Sequence, residues 1–555
     1  MKLRLLFLPA LLAITLGAFN ADDKMLRKAS EAIRGAAYRG HVAALASYEM
    51  QGREPGSPGE RRTLEYLEKE YLELGLQPAA GGDFRQEVAL VEITGSAQSL
   101  SFGRGDGGMT LAYGDDMVIG SRRTQPAAAI AGSEVVFVGY GIHAPEAGWD
   151  DYAGLDMRGK TALILVNDPG FVTGDESLFR GKAMTYHGRW TYKFEEASRQ
   201  GAEAAIIVHE TLPASYDWGV VRNSWSGPQF YLDREDGNAG RTALEGWITE
   251  ARARQLVELA GQDLDALKAA AVKRGFRPVP LGVRATASVQ NTIRHKRSPN
   301  VAGLMPGKDR PGEYVIYVAH WDHLGVDDGG GEDRIYNGAV DNATGVAGIL
   351  TLAKAFRDML PGASRSVLFL AVTAEESGLL GSEYYAEHPL VPLEKTAAVI
   401  NIDALNPLGR ALDLEVVGFG ASELEDLLAA AAKSTHRTLA PDRKPEAGRF
   451  YRSDHFNFAK KGVPSLYVKS GTTLRGAPEG TGRALLDDYD KTRYHKPGDE
   501  YSEAWDVAGS IEDLRLLFEV GARTANAATW PAWREGNEFK PVREASAKSR
   551  LPPDE

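Results

Sequence analysis

Beyond about residue 285 the chain reads as short apolar runs separated by helices. The runs are YVIYVAH, SVLFLAVTAEE, AAVINIDALN, LEVVGFG and PSLYVKSG, and GVAGILTLAKAF is one of the helices. A strand that is apolar at nearly every position, rather than at every second one, has to be buried on both faces. Such strands alternating with helices predict an α/β sheet covered by helical layers on both sides. In open sheets of this kind, ligands gather beyond the carboxyl ends of the strands.

Those ends carry one kind of chemistry. The first run ends on His320, with Asp322 two residues on; the second ends on Glu375-Glu376 and the third reaches Asp403. The stretch NGAVDNATGVAGIL puts Asp341 just before a helix start, with Asn342 and Thr344 available as caps. Downstream, RYHKPGDEYS offers His495. The chain has no cysteine, which excludes disulfides, thiolate zinc sites, iron–sulfur clusters and cysteine nucleophiles. Any metal must therefore sit on His, Asp and Glu, the donor set that suits zinc and similar divalent ions. One tetrahedral catalytic ion uses about three protein ligands and a water. The five candidates His320, Asp341, Glu376 or its neighbour, Asp403 and His495 suit two ions sharing a carboxylate. Two metals about 3.5–4 Å apart can jointly activate a water and polarise a carbonyl. Adjacent glutamates then divide the work, one binding metal and the other handling the proton. Asp322 is expected to hold His320 in one tautomer.

Length and charge set the limits around this site. The chain has 555 residues, enough for two to four domains at roughly 100–200 residues each. Lys and Arg number 64 against 76 Asp and Glu, a formal net charge of -12, a poor match for nucleic acid or an anionic membrane. The start, MKLRLLFLPALLAITLGAF, has Lys2 and Arg4 before an apolar stretch interrupted by Pro9. It falls short of the ~20 residues a membrane span needs and predicts a signal peptide over 1–21, with a retained anchor as the alternative. No second apolar segment of spanning length follows, so a secreted or periplasmic protein without a membrane span is expected.

Between these features, SPGERRTLEYLEKEYLELGL predicts a helix, with Ser57-Pro58 starting it, Leu64, Leu67, Tyr71 and Leu74 on one face, and Gly75 ending it. Residues 22–125 are expected to form the N-terminal part of the catalytic domain, 126–284 a separate unit, 285–532 the catalytic domain proper, and 533–555 a mobile tail.

Taken together, AHWDH, NGAVDNATG, TAEESGLLGS, NIDALN, YRSDHFNFAKKGVPSLYV and YHKPGDEYS, in that order, resemble the M28 family of zinc peptidases. The resemblance is strong over about 285–530. It extends to a first helix in MQGREPGSPGERRTLEYLEKEYLELGL. The stretch VVFVGYGIHAPEAGWDDYAGLDMRGKTALILVNDP looks like the protease-associated insert of many members. The resemblance implies a three-layer α/β/α domain with a mixed sheet and an inserted, mostly-β protease-associated domain. It implies two Zn(2+) per chain and a peptide or protein substrate. Asp341 would bridge the ions, His320 and Asp403 would complete one site, and Glu376 and His495 the other. Glu375 would be the general base. A cis peptide is expected after Asp341, and Tyr494 or Tyr451 is a candidate for stabilising the oxyanion. Many members carry Ser where this chain has His323, which is therefore expected to line the pocket or support a ligand. The activity implied is that of an aminopeptidase. A carboxypeptidase or dipeptidase of the same family is the first alternative, and a non-catalytic receptor-like protein on the same fold is the second.

Other motifs carry less. His209-Glu210 begins like a zincin helix but lacks the second histidine. The DDGGGED stretch lacks the spaced ligands of a calcium loop. No G-x-S-x-G occurs, so a serine hydrolase has no support.

Overall fold

The computed structural model describes residues 23–327 and 329–550; the signal peptide expected over 1–21 lies outside the described residues. Among the described residues, no helix is long and apolar enough to cross a membrane. Two compact units emerge. Among the described residues, the first takes in those up to Val88, Ser298–Asp442 and those from Ser453 on; the second takes in Ala89–Arg297 and Arg443–Arg452. These divisions differ from the expected ones near 125 and 284. Each falls inside a long strand, Arg85–Arg104 and Val279–Met305, where composition carries no break.

The first unit is built on β1 (Val279–Met305), β2 (Arg310–His320), β3 (Arg365–Val372), β4 (Thr396–Asn401), β5 (Asp413–Val416), β6 (Thr438–Pro441) and β7 (Ser465–Ser470). Across the sheet the order is β6–β5–β7–β4–β2–β3–β1, with only residues 301–305 of β1 pairing to β3. β2 runs parallel to β3 and β4, and β4 parallel to β7, while β1 and β5 run antiparallel to their inner neighbours. The sheet is mixed, as expected. Alternate residues of β2 enter different layers. Val315, Tyr317 and Ala319 pack with residues of the helices Gly35–Leu45, Pro58–Glu73, Thr344–Asp358 and Ala508–Asn526. Ile316 and Val318 pack with Tyr385, Ala386 and Phe458, from the helices Leu380–Glu387 and His455–Lys460. This is the physical content of three layers, since a strand apolar at every position needs a helical partner on each side.

The helix Pro58–Glu73 starts and stops where its sequence says. The Ser57 hydroxyl accepts from the amides of Gly59 (3.1 Å) and Glu60 (3.2 Å), Pro58 occupies the first turn, and Leu64, Leu67 and Tyr71 are buried. The stretch after 532, expected as a mobile end, is packed as far as it is described. Trp533 and Phe539 are only 2% and 4% exposed, and the Trp533 indole donates to the Gly462 carbonyl (2.9 Å). Two aromatic anchors outweigh the charged composition on which that expectation rested.

In the second unit, residues 279–290 of β1 pair antiparallel with Ala127–Phe137, which runs parallel to Lys160–Leu165. Ala204–His209 and Leu244–Thr249 continue in parallel, and Met117–Gly120 closes the order antiparallel. The helices Trp190–Arg199, Glu250–Leu259 and Leu264–Ala271 accompany these strands. His209 of the incomplete zincin motif hydrogen-bonds the Tyr216 carbonyl (3.0 Å) and is structural here.

Candidate metal centre

β2 and β3 end level, with His320 opposite Val372. The chain leaving β3 therefore carries Glu375 and Glu376 back over the end of β2. His320 is 1% exposed, and its Nε2 faces Asp341 Oδ1 at 3.2 Å, Asp403 Oδ1 at 3.8 Å and Glu375 Oε2 at 4.0 Å. The other oxygen of Asp341, Oδ2, lies 3.3 Å from Nε2 of His495. His495 Nε2 is also 2.9 Å from Glu376 Oε2. All the sequence-predicted ligands are thus brought together, and Asp341 turns one oxygen to each histidine. The peptide Asp341–Asn342 is cis.

The two glutamates sit on the turn that follows β3 and part there. Glu376 divides its oxygens between His323 Nδ1 (2.6 Å) and His495, whereas Glu375 faces His320. His323 is more closely involved than a wall residue. Its nitrogen, with an oxygen each of Asp341 and Glu376, falls within the spread of a metal-binding group. Gly338 makes room for it, because a Cβ there would lie 2.6 Å from the imidazole.

Asp322 differs from its expected part. His320 Nδ1 meets the Asp322 backbone carbonyl at 3.2 Å, while the carboxylate is 3.7 Å away. That carboxylate instead accepts from the amides of Glu375 (3.1 Å) and Glu376 (3.3 Å). It fixes the turn that presents the glutamates, and the imidazole is oriented by main chain.

Several positioning residues lie inside the quoted motifs, where the sequence alone shows no part for them. Asp403 Oδ2 accepts from Ser453 (2.6 Å) and Tyr467 (3.1 Å), which leaves Oδ1 for the site. His455 packs its ring 5.0 Å from Tyr467. Asp499 accepts from the amides of Val340 and Asp341, each at 3.1 Å. It sits near His495 in RYHKPGDEYS. Of the two candidate tyrosines, Tyr494 stacks on His495 at 3.9 Å. Tyr451 belongs to the second unit, where its ring lies 6.3 Å from Tyr186.

Electrostatics follow from crowding. Burial raises Asp341, but hydrogen bonds from His320 and His495 outweigh it and hold the carboxyl well below its usual range. Burial lifts Glu375 well above the usual value, with neighbouring Glu376 adding to the push. Burial also opposes the charged form of His495, yet its contacts with Asp341 and Glu376 lift it to about 10. The residues fit divalent metal. A single N–H on His320 cannot serve three carboxylates at once, and buried like charges need a counter-ion at their focus.

Residues 300–518 match the profile of peptidase family M28. The chain is 34% identical over 137 residues to the mouse (Mus musculus) protein Aminopeptidase NAALADL1, a match covering 23% of this chain and 17% of that one. It is 27% identical over 197 residues to a Glutamate carboxypeptidase 2 homolog of Caenorhabditis elegans, covering 34% of this chain and 24% of that one. The chain thus spans between about a sixth and a quarter of the length of the curated relatives it matches. Among solved structures, an aminopeptidase from Aneurinibacillus sp. strain AM-1 is 19% identical with a TM-score of 0.48, covering 90% of this chain and 96% of that one.

Proposed function

We propose that this chain is an exported two-zinc metallopeptidase that removes N-terminal residues from peptides. The observation that carries the reading is Asp341, which offers one carboxylate oxygen toward His320 and the other toward His495. In this reading Asp341 bridges, His320 and Asp403 hold one ion, and Glu376 and His495 hold the other. Zinc at such a site supplies Lewis acidity that polarises a carbonyl and acidifies water.

The chain's own groups do the rest. Glu375 takes the proton of the attacking water at its carboxylate and returns it to the departing amine. Its burial, which raises its proton affinity, suits that traffic. Tyr494 is read as the donor to the developing oxyanion, since it stacks on His495. The Ala89–Arg297 unit is read as the protease-associated insert. The mouse relative's name favours an aminopeptidase. A carboxypeptidase or dipeptidase is the second reading, because the Caenorhabditis elegans relative bears a carboxypeptidase name and covers more of this chain.

Glu375→Gln and Glu376→Gln test the roles. Positioned proton transfer is worth about 10²–10⁴-fold. Glu375→Gln should therefore cost at least about 10²-fold in turnover while two ions stay bound. Glu376→Gln should lose metal as well as rate. Metal content by mass spectrometry, with aminoacyl and N-blocked chromogenic peptides as substrates, decides both the assignment and the direction of cleavage. Loss of an ion from Glu375→Gln, or full activity in rigorously metal-free protein, overturns the reading.

A further inference from the structure

Arg53 is 1% exposed, and its guanidinium is spent entirely on main-chain carbonyls. Nε donates to Trp321 (2.9 Å), Nη1 to Leu45 (2.7 Å) and Asn337 (2.7 Å), and Nη2 to Gly338 (2.8 Å). Trp321 lies between His320 and Asp322, and Asn337 and Gly338 lead into Asp341. One side chain therefore ties the loop that follows β2 to the loop that presents Asp341. The backbone repeats the tie. Gly325 N donates to Gly52 O (3.0 Å), and His323 N reaches Arg53 O at 3.4 Å.

The chain accepts an awkward conformation to make this arrangement. Gln51, Gly52 and Arg53 all have positive φ, at 49°, 65° and 53°. A Cβ on Gly52 would lie 2.4 Å from the Gly325 carbonyl. Left-handed non-glycine residues persist where their surroundings over-determine them. Burial lowers Arg53 to about 10, opposed by Asp499, Asp322, Asp341 and Glu376, so it remains a cation behind the carboxylates. A lysine could not replace it, since only a planar fork reaches four carbonyls on three separate stretches of chain.

We propose that Arg53 is a positioning residue that pre-forms the loop following His320, 321–325, and the loop bearing Asp341, 337–341, before any ion binds. The proposal rests on the two-ion reading above. Supporting residues of this kind typically account for 10–100-fold in metal affinity.

Two measurements test it. Arg53→Lys, checked for folding by circular dichroism, is titrated with zinc against a chelator. Zinc affinity should fall by about 10–100-fold, and kcat should fall with little change in KM. An arginine that merely stabilised the fold would lower unfolding stability and leave the zinc affinity of the folded protein unmoved, and that result overturns the proposal. Hydrogen exchange on the metal-free wild type needs no variant. The amides of Gly325, Tyr336, Val340 and Asp341 should exchange slowly without zinc. Exchange at open-loop rates that slows only when zinc is added would mean that ions order the loops, and the proposal falls. Zinc uptake by the wild type is read separately, so failure of the two-ion reading is not confused with failure of the loop ordering.

Discussion

Asp499→Asn isolates how firmly Asp341 is held. The Asp499 carboxylate receives the Val340 amide at 3.1 Å from both oxygens, the Asp341 amide at 3.1 Å on Oδ2, and the Tyr489 hydroxyl at 3.2 Å on Oδ2. Asparagine preserves the shape and one acceptor oxygen. Its best rotamer keeps that oxygen where Oδ2 was and turns the NH₂ toward the Val340 amide, donor against donor. Hydrogen bonds to a charged acceptor are worth about 1.5–3 kcal/mol and neutral ones about 1. Two bonds therefore weaken by roughly 1 kcal/mol each, and the opposed donors add about 1–2 more, for a total near 3–4 kcal/mol. If that cost falls on the loop carrying Asp341, at about 1.4 kcal/mol per tenfold, zinc affinity drops by roughly 140- to 700-fold. The assay is chelator competition on metal-free protein, with circular dichroism confirming a folded state. A variant within about threefold of wild type would show that the Asp499 contacts do not hold the bridging carboxylate in place, and the reasoning would fail.

His323→Ser should keep two ions at saturating zinc and bind them about 10–100-fold more weakly, because it removes a partner of Glu376 rather than a ligand. Outright loss of an ion would make His323 a ligand. Trp533→Ala, at a residue 2% exposed with its indole bonded to Gly462, should cost about 3–5 kcal/mol in urea unfolding; a change below about 1 kcal/mol would return the C-terminal segment to the status of a tail. Ser57→Ala should cost about 0.5–2 kcal/mol through its two lost cap bonds, measured the same way, and an unchanged midpoint would refute that capping role.

The layers and the strand ends were legible because burial on two faces leaves an unbroken apolar run, and such a run has a visible end. That is how His320, Glu375, Glu376 and Asp403 could be picked out. Asp341 and His495 needed the family resemblance to be ranked above other loop residues. What could not be read was which groups hold them. Asp322 sits two residues from His320, yet its carboxylate turns to the Glu375 and Glu376 amides, a choice made by the turn after β3 rather than by proximity in sequence. Arg53 and Ser453 lie inside stretches that carry the family resemblance, yet a lone polar residue leaves no periodic trace of which groups it will bond. The unit boundaries were missed for a related reason, since Arg85–Arg104 and Val279–Met305 are continuous strands whose pairing partners change midway.

The ligands enter the chain in the order His320, Asp341, Glu376, Asp403 and His495, and the last of them follows β7, the final strand of its sheet. During synthesis the growing polypeptide therefore holds an incomplete set until residue 495 has been made, after every strand of that sheet. If the proposed function holds, a nascent chain short of His495 lacks one of the groups that would hold metal. The capacity to cut peptides would then depend on a residue made after the sheet that supports the site.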